Sequence, residues 1–160
     1  MDLAVKQSHS MGFSGGLVRL GKTTIVFLNR YAAPVLDLGI RLFVAMVFFK
    51  SGLTKIANWN ATLFLFENEY HVSLLSPNVA AYLGTAAELG LPVLLVLGLG
   101  SRFAAAALFV FNIVAVISYP DLGEVGLKDH QYWGLLLLIT LVHGPGKLSL
   151  DHFVSKRLFN

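Results

Sequence analysis

The apolar positions gather into four long runs, 34–56, 79–100, 102–119 and 127–143, separated by short polar clusters. Runs of about 20 apolar residues suit helices that cross a hydrocarbon core of roughly 30 Å. Pro34 can open the first, because proline at the first helical position gives up an N–H that has no partner there anyway. Ser101-Arg102 form a tight connection between the second and third runs, and Pro120 closes the third. The fourth has a firm apolar centre at 135–142 but short flanks. Residues 57–78 contain an apolar stretch, 63–66, that is too short to span and is expected to dip into the membrane interface.

Ahead of the first run, residues 17–33 place Arg19, Lys22, Val26 and Arg30 near one helical face, with Leu17, Leu20, Leu28 and Tyr31 largely opposite. That pattern predicts a helix lying on an anionic membrane surface, with a solvated leader as the alternative. Residues 1–16 are polar and Gly/Ser-rich, and they lack the basic tip, compact apolar centre and small-residue site of a signal peptide. The expectation is an all-α integral membrane four-helix bundle. Its parts are a leader with an interfacial helix (1–33), a four-span domain (34–151) and a short tail (152–160).

Composition agrees with the pattern. Of 160 residues, 56% are hydrophobic and only 13% charged, against about a quarter charged in soluble domains. The net charge of +3 is too small and too dispersed to attract nucleic acid, and serves better as a guide to topology. With four spans, both termini and the 101–102 turn share one side, which holds Lys6, Arg19, Lys22, Arg30, Arg102, Lys147, Lys156 and Arg157. The other side carries Lys128, Lys55 near a helix end, and the acids Glu67, Glu69, Asp121, Glu124 and Asp129. Basic residues stay on the cytoplasmic side, so both termini are expected there. The chain has no cysteine, which excludes thiol relays, Fe–S ligation and covalent haem attachment from this chain.

Within the apolar runs, a few polar residues stand out. Glu88 lies near the middle of the second, and Pro92 leaves the Glu88 carbonyl without its usual helical donor. An ionised carboxylate there must be paired, neutralised or turned to a polar interior. Counting 1.5 Å per residue puts Arg41 roughly 12 Å from one edge and Glu88 about 13 Å from the other. Asn112 and Thr140 fall at similar levels. Ala81, Gly84, Thr85 and Glu88 share a face whose small residues permit close helix contact. The expectation is an interior Arg41–Glu88 pair supported by Asn112 and Thr140. Such a pair either fixes helix register or serves a ligand or proton. Lys50, opposite Arg41, snorkels to the headgroups.

Lys55 and His130, with Asp129, reach similar depth at the outer end and could hold a polar head group; an interfacial histidine capping a helix is the ordinary alternative. Glu67 and His71 have i, i+4 spacing, which alone is a weak metal signal, so no metal site is expected. His143 at a helix C-terminus suits the dipole. Trp59, Tyr119, Tyr132 and Trp133 read as an outer aromatic belt. No nucleophile elbow, phosphate loop, dinucleotide glycine motif or metalloprotease helix is present.

Several of these stretches together resemble the DoxX family of small four-helix bacterial inner-membrane proteins. They are Arg41-Leu42, Ser51-Gly52-Leu53-Thr54-Lys55, Ala87-Glu88-Leu89, Leu97-Gly98-Leu99-Gly100-Ser101-Arg102 and the run from Gly144 to Asp151. The resemblance covers about 35–151, and Lys50 departs from the usual pattern. It implies a location in the bacterial inner membrane and association with membrane redox systems, including quinone-linked oxidoreductases. On that basis the expected role is an accessory subunit without an intrinsic cofactor, with a quinone or lipid between helices and a redox-enzyme partner. Any oxidoreductase activity would need a redox centre borrowed from that partner. The alternative is a non-catalytic scaffold or assembly factor with a structural Arg–Glu pair. A small transporter is a third reading and would need a homo-oligomer.

Overall fold

The computed structural model describes residue 16 and residues 18–158, and every regular element among them is helical. The elements are α1 (Ala33–Ala57), α2 (Trp59–Asn68), α3 (Pro77–Leu97), α4 (Ser101–Ser118), α5 (Gly123–His143) and α6 (Leu150–Leu158). The chain divides into two compact units at Leu36–Asp37. The first unit is helical from Val18 and includes a π-helical turn, Leu28–Ala32.

Pro34 does not open a helix, contrary to expectation. The helix is continuous over Val18–Ala57, 40 residues. The π-turn explains the continuity: the N–H of Ala33 bonds the carbonyl of Leu28, five residues back. One residue is thereby accommodated immediately before Pro34, where the ordinary i→i−4 ladder would meet the missing N–H and the ring.

Among the described residues, three helical stretches, Val18–Ala57, Pro77–Leu97 and Ser101–Ser118, are long and apolar enough to cross a membrane. At 21 residues α5 has the length, but its first two turns carry Glu124, Lys128, Asp129 and His130. The short apolar run 63–66 belongs to α2, a 10-residue helix capped by the Asn58 side chain, which accepts from Ala61 N at 3.1 Å. Thr62 ties α2 back to the end of α1 by donating to the Lys55 carbonyl at 3.0 Å.

The core of the second unit comes from α1, α3, α4 and α5: Val44, Ala45, Phe48, Leu95, Ala104, Ala105, Leu108 and Leu137. Small residues set the spacing, because helices in lipid gain by close van der Waals approach. On α1, Gly52 lies so near α3 that an added Cβ would meet Leu89 Cγ at 2.9 Å and Glu88 Cβ at 3.1 Å.

The turn joining α3 to α4 spans only residues 98–100. Gly98 closes α3 in the left-handed region (φ 71°), with the N–H of Leu99 bonded to the Leu94 carbonyl at 3.0 Å. Asp151, from α6, accepts from the first free N–H groups of α4: Gly100 N at 2.8 Å and Ser101 N at 2.9 Å. Its own N–H bonds the Gly98 carbonyl at 2.8 Å. Burial pushes the Asp151 carboxyl upward, but these backbone bonds, with Arg41 adding to them, outweigh it and hold the group below its ordinary value.

Asp151→Ala should therefore cost about 1–2 kcal/mol, the loss of a helix cap, in reversible unfolding in detergent. Because the folded-state value is depressed, the carboxylate's contribution is present above the ordinary carboxyl range and fades as pH falls through the lower folded value. The variant should consequently show a flatter acid limb than the parent protein.

Candidate functional site: an ion pair between two cavities

Arg41 and Glu88 are both almost wholly buried, at 1% and 5% exposure, but they do not pair. Arg41 Nη1 donates to the carbonyls of Leu95 and Val96, both at 3.1 Å, and Nη2 donates to the carbonyl of Leu148. Leu95 and Val96 lie in the last turn of α3, whose carbonyls lack i+4 helical donors and carry the negative end of the helix dipole. Besides Arg41, the Leu95 carbonyl has only a 3.3 Å bond from Gly98 N. Arg41 is thus a helix-end clamp that also holds the segment leading into α6.

The expected Arg41–Glu88 pair fails on register. Leu95 is seven residues from Glu88 on α3, about 10 Å along the axis. Depth counted from Pro34 was misplaced because no helix end occurs there. The expected single polar layer also dissolves: Thr140 donates within its own helix to the Leu136 carbonyl at 3.1 Å, and Asn112 turns to α5.

Glu88 instead meets Lys55, one helical turn from the end of α1. Lys55 Nζ is 2.7 Å from Oε2 and 2.9 Å from Oε1. Ser51, a turn earlier on α1, accepts from Lys55 at 2.9 Å and donates to Oε1 at 3.1 Å. The i, i+4 spacing of Ser51 and Lys55 puts both on the face that α3 covers, and Gly52 between them permits the approach. All three N–H bonds of the ammonium are used, whereas the carboxylate, accepting three hydrogen bonds, retains one unused lone pair, on Oε2. The site is electrically neutral and can still accept a hydrogen bond.

Two cavities share this pair as part of their walls. One, of about 400 Å³, is bounded mainly by apolar side chains, among them Phe66, Leu83, Gly84, Leu91, Val110 and Phe111. The other, about 230 Å³, adds Ser51, Tyr119, His130 and Trp133. Tyr70 lines both and packs between Phe66 (centroids 4.8 Å apart) and Tyr119 (5.0 Å). Burial raises the Tyr70 hydroxyl above its ordinary value, and the neighbouring Tyr119, Glu88 and Glu69 raise it further, so it remains a neutral donor.

Among the candidates read from the sequence, Lys55 and Glu88 come together; Arg41 and Thr140 lie elsewhere. Asn112 and His130 form a second couple: Asn112 Nδ2 donates to the His130 carbonyl at 2.9 Å, and His130 Nδ1 lies 2.7 Å from Asn112 Oδ1. Ser51 and Tyr70 were missed. Ser51 was detectable from its i, i+4 relation to Lys55; Tyr70 lies outside regular structure and gives no periodic signal. Among the described residues, no three His, Cys, Asp or Glu side chains gather in a way that could hold a metal ion.

Membrane-length apolar helices around buried, hydrogen-bonded charges define an integral membrane protein of the all-α class. The DoxX family profile matches residues 36–120, and the chain belongs to the DoxX family. It is 32% identical over 126 residues to an uncharacterized protein of Haemophilus influenzae, covering 73% of this chain and 82% of that protein. It is similar at 33% identity over 134 residues to the inner membrane protein YphA of Escherichia coli (75% of this chain, 91% of YphA). A third relative, named "Putative oxidoreductase CatD", of Bacillus subtilis, is 29% identical over 121 residues (73% and 85%). No solved structure matches the chain.

Two substitutions separate the clamp from the pair. Arg41→Gln leaves helix-end carbonyls without donors and should cost about 2–3 kcal/mol in detergent unfolding. Gly52→Val should force α1 from α3 and cost about 1–3 kcal/mol by overpacking. Loss of the Lys55–Glu88 contact in the second variant alone would be read from reactivity of the Lys55 amine toward an acylating reagent.

Proposed function

We propose that this chain is a membrane subunit of a redox assembly, and that it holds a lipid-soluble carrier of the quinone class between its helices. The observation that carries the reading is the Lys55–Glu88 pair in the wall of a largely apolar cavity of about 400 Å³. Ligand sites of this kind are mostly apolar, with a few converging polar groups that fix orientation. The apolar walls around Phe66, Leu83 and Phe111 suit a ring and the start of a tail.

Hydrogen-bond capacity refines the chemistry. The ammonium of Lys55 is fully engaged and the Glu88 carboxylate is not, so the pair accepts a hydroxyl proton more readily than it donates to a carbonyl. The reduced, dihydroxy form of the carrier is therefore the better fit. Electrons would pass to or from a partner enzyme bearing its own redox centre. The similarity to a relative named as an oxidoreductase supports this direction. We place the chain in a bacterial inner membrane, on its likeness to YphA, with both termini cytoplasmic, on the distribution of its basic residues.

A second reading, a non-catalytic scaffold, is favoured by the saturated bonding of Lys55, which would hold α1 on α3 with no ligand at all. Binding of a water-soluble quinol analogue to the purified protein in nanodiscs separates the two. The carrier reading expects binding tighter for quinol than for quinone, weakened about ten-fold by Glu88→Gln. It also expects binding to be lost in Gly84→Leu, whose side chain would project toward Phe66 and Phe111, 3.6 and 3.7 Å from an added Cβ. Absence of binding in the parent protein, or equal binding in Gly84→Leu, would leave the scaffold.

A further inference from the structure

His130 faces the smaller cavity but takes no part in the bonding of the ion pair. Its Nδ1 lies 2.7 Å from Asn112 Oδ1, and the orientation of that amide is set by the bond from Asn112 Nδ2 to the His130 carbonyl. An amide oxygen only accepts, so Nδ1 carries the proton and Nε2 presents a lone pair. Among the described residues, Nε2 has no hydrogen-bond partner. The cavity of about 230 Å³ that His130 shares with Ser51, Lys55 and Glu88 carries several polar groups on its wall and is wide enough for bridging waters.

We propose that His130 is a proton-binding group coupled to the Lys55–Glu88 pair across this cavity. The inference rests on the carrier reading for its purpose, since a dihydroxy carrier held at Glu88 has to exchange protons as it changes form. The groups facing the imidazole are Lys55 from α1, Glu88 from α3, Tyr70 from the loop after α2 and Tyr119 following α4; Asp129 adjoins it on α5. In the step itself a proton leaves a water-borne donor, whose O–H bond breaks, and joins Nε2. The imidazolium stays anchored through Nδ1–H to Asn112, and no electrons move. Because the pair has no net charge, it neither repels the imidazolium nor traps it.

Trp133 provides the reporter. Its ring centroid lies 4.7 Å from that of His130, and a protonated imidazole at that range quenches indole emission. The chain has two tryptophans, and Trp59→Phe leaves Trp133 alone. In that protein, without any carrier, emission should follow a single-site titration, and His130→Gln should flatten it. Glu88→Gln leaves Lys55 uncompensated and should lower the midpoint by about half a unit or more; Lys55→Gln should raise it similarly.

Should either charge variant fail to fold, carbon-13 NMR of the Glu88 carboxyl in the otherwise unsubstituted protein decides. Its resonance must move over the same pH interval as the Trp133 emission. A flat Trp133 titration, or a midpoint and a Glu88 resonance that both ignore the other group, overturns the coupling. A normal titration in a protein that binds no quinol analogue would retain the coupling and discard only the carrier.

Discussion

A charge withdrawn from water must meet partners that replace its hydration, and this requirement arranges the second unit. The protein meets it in three different ways. Arg41 has Asp37 and Asp151 within electrostatic reach, but its hydrogen bonds go to backbone carbonyls at the end of α3 and before α6. Asp151 is met by the backbone N–H groups that open α4. Lys55 and Glu88 satisfy each other as ions. The first two arrangements use helix termini, where the backbone has free groups and a dipole of matching sign. They converge on the same turn, so the α3–α4 junction is held from α1 and from α6 together.

The sequence showed the helices and the rare ions within them, because both are one-dimensional signals. Apolar length marks a span, and a carboxylate in an apolar run stands out wherever it falls. Partner choice is a three-dimensional matter. Arg41 and Glu88 look like natural mates when depth is counted from Pro34, yet the π-turn before that proline lets the helix run on. Helical register then brings Ser51 and Lys55, not Arg41, opposite Glu88. Backbone acceptors were the other blind spot: carbonyls have no letter in a sequence, so a cation seeking them appears unpaired. His130 and Asn112 were each visible as polar residues near apolar runs, but the hydrogen bonds between them depend on how closely α4 and α5 pack at Gly134. A Cβ at Gly134 would come 3.3 Å from Asn112 Nδ2.

Membership of the DoxX family accounts for the architecture without choosing a chemistry, since one fold carries many activities. The chemistry is argued from a polar pair whose surroundings are unequal. On one side lie Phe66, Leu83 and Leu91; on the other, Tyr119, His130 and Trp133. An amphiphile and a set of waters could each approach the same carboxylate from its own direction. That asymmetry distinguishes the pair from a tie buried on all sides by apolar packing.

The zero net charge of Lys55 and Glu88 also shapes what the cavities beside them would admit. A lone ion projects its field far into a low-dielectric interior, while two opposed charges 2.7 Å apart largely cancel beyond their immediate vicinity. An uncharged amphiphile can therefore drift along the apolar walls without being drawn or repelled until it touches the carboxylate. A permanently charged solute finds no compensating pull to offset its dehydration at the entrance. Under the carrier reading proposed above, a preference for neutral guests would follow from the electrical balance of the pair itself.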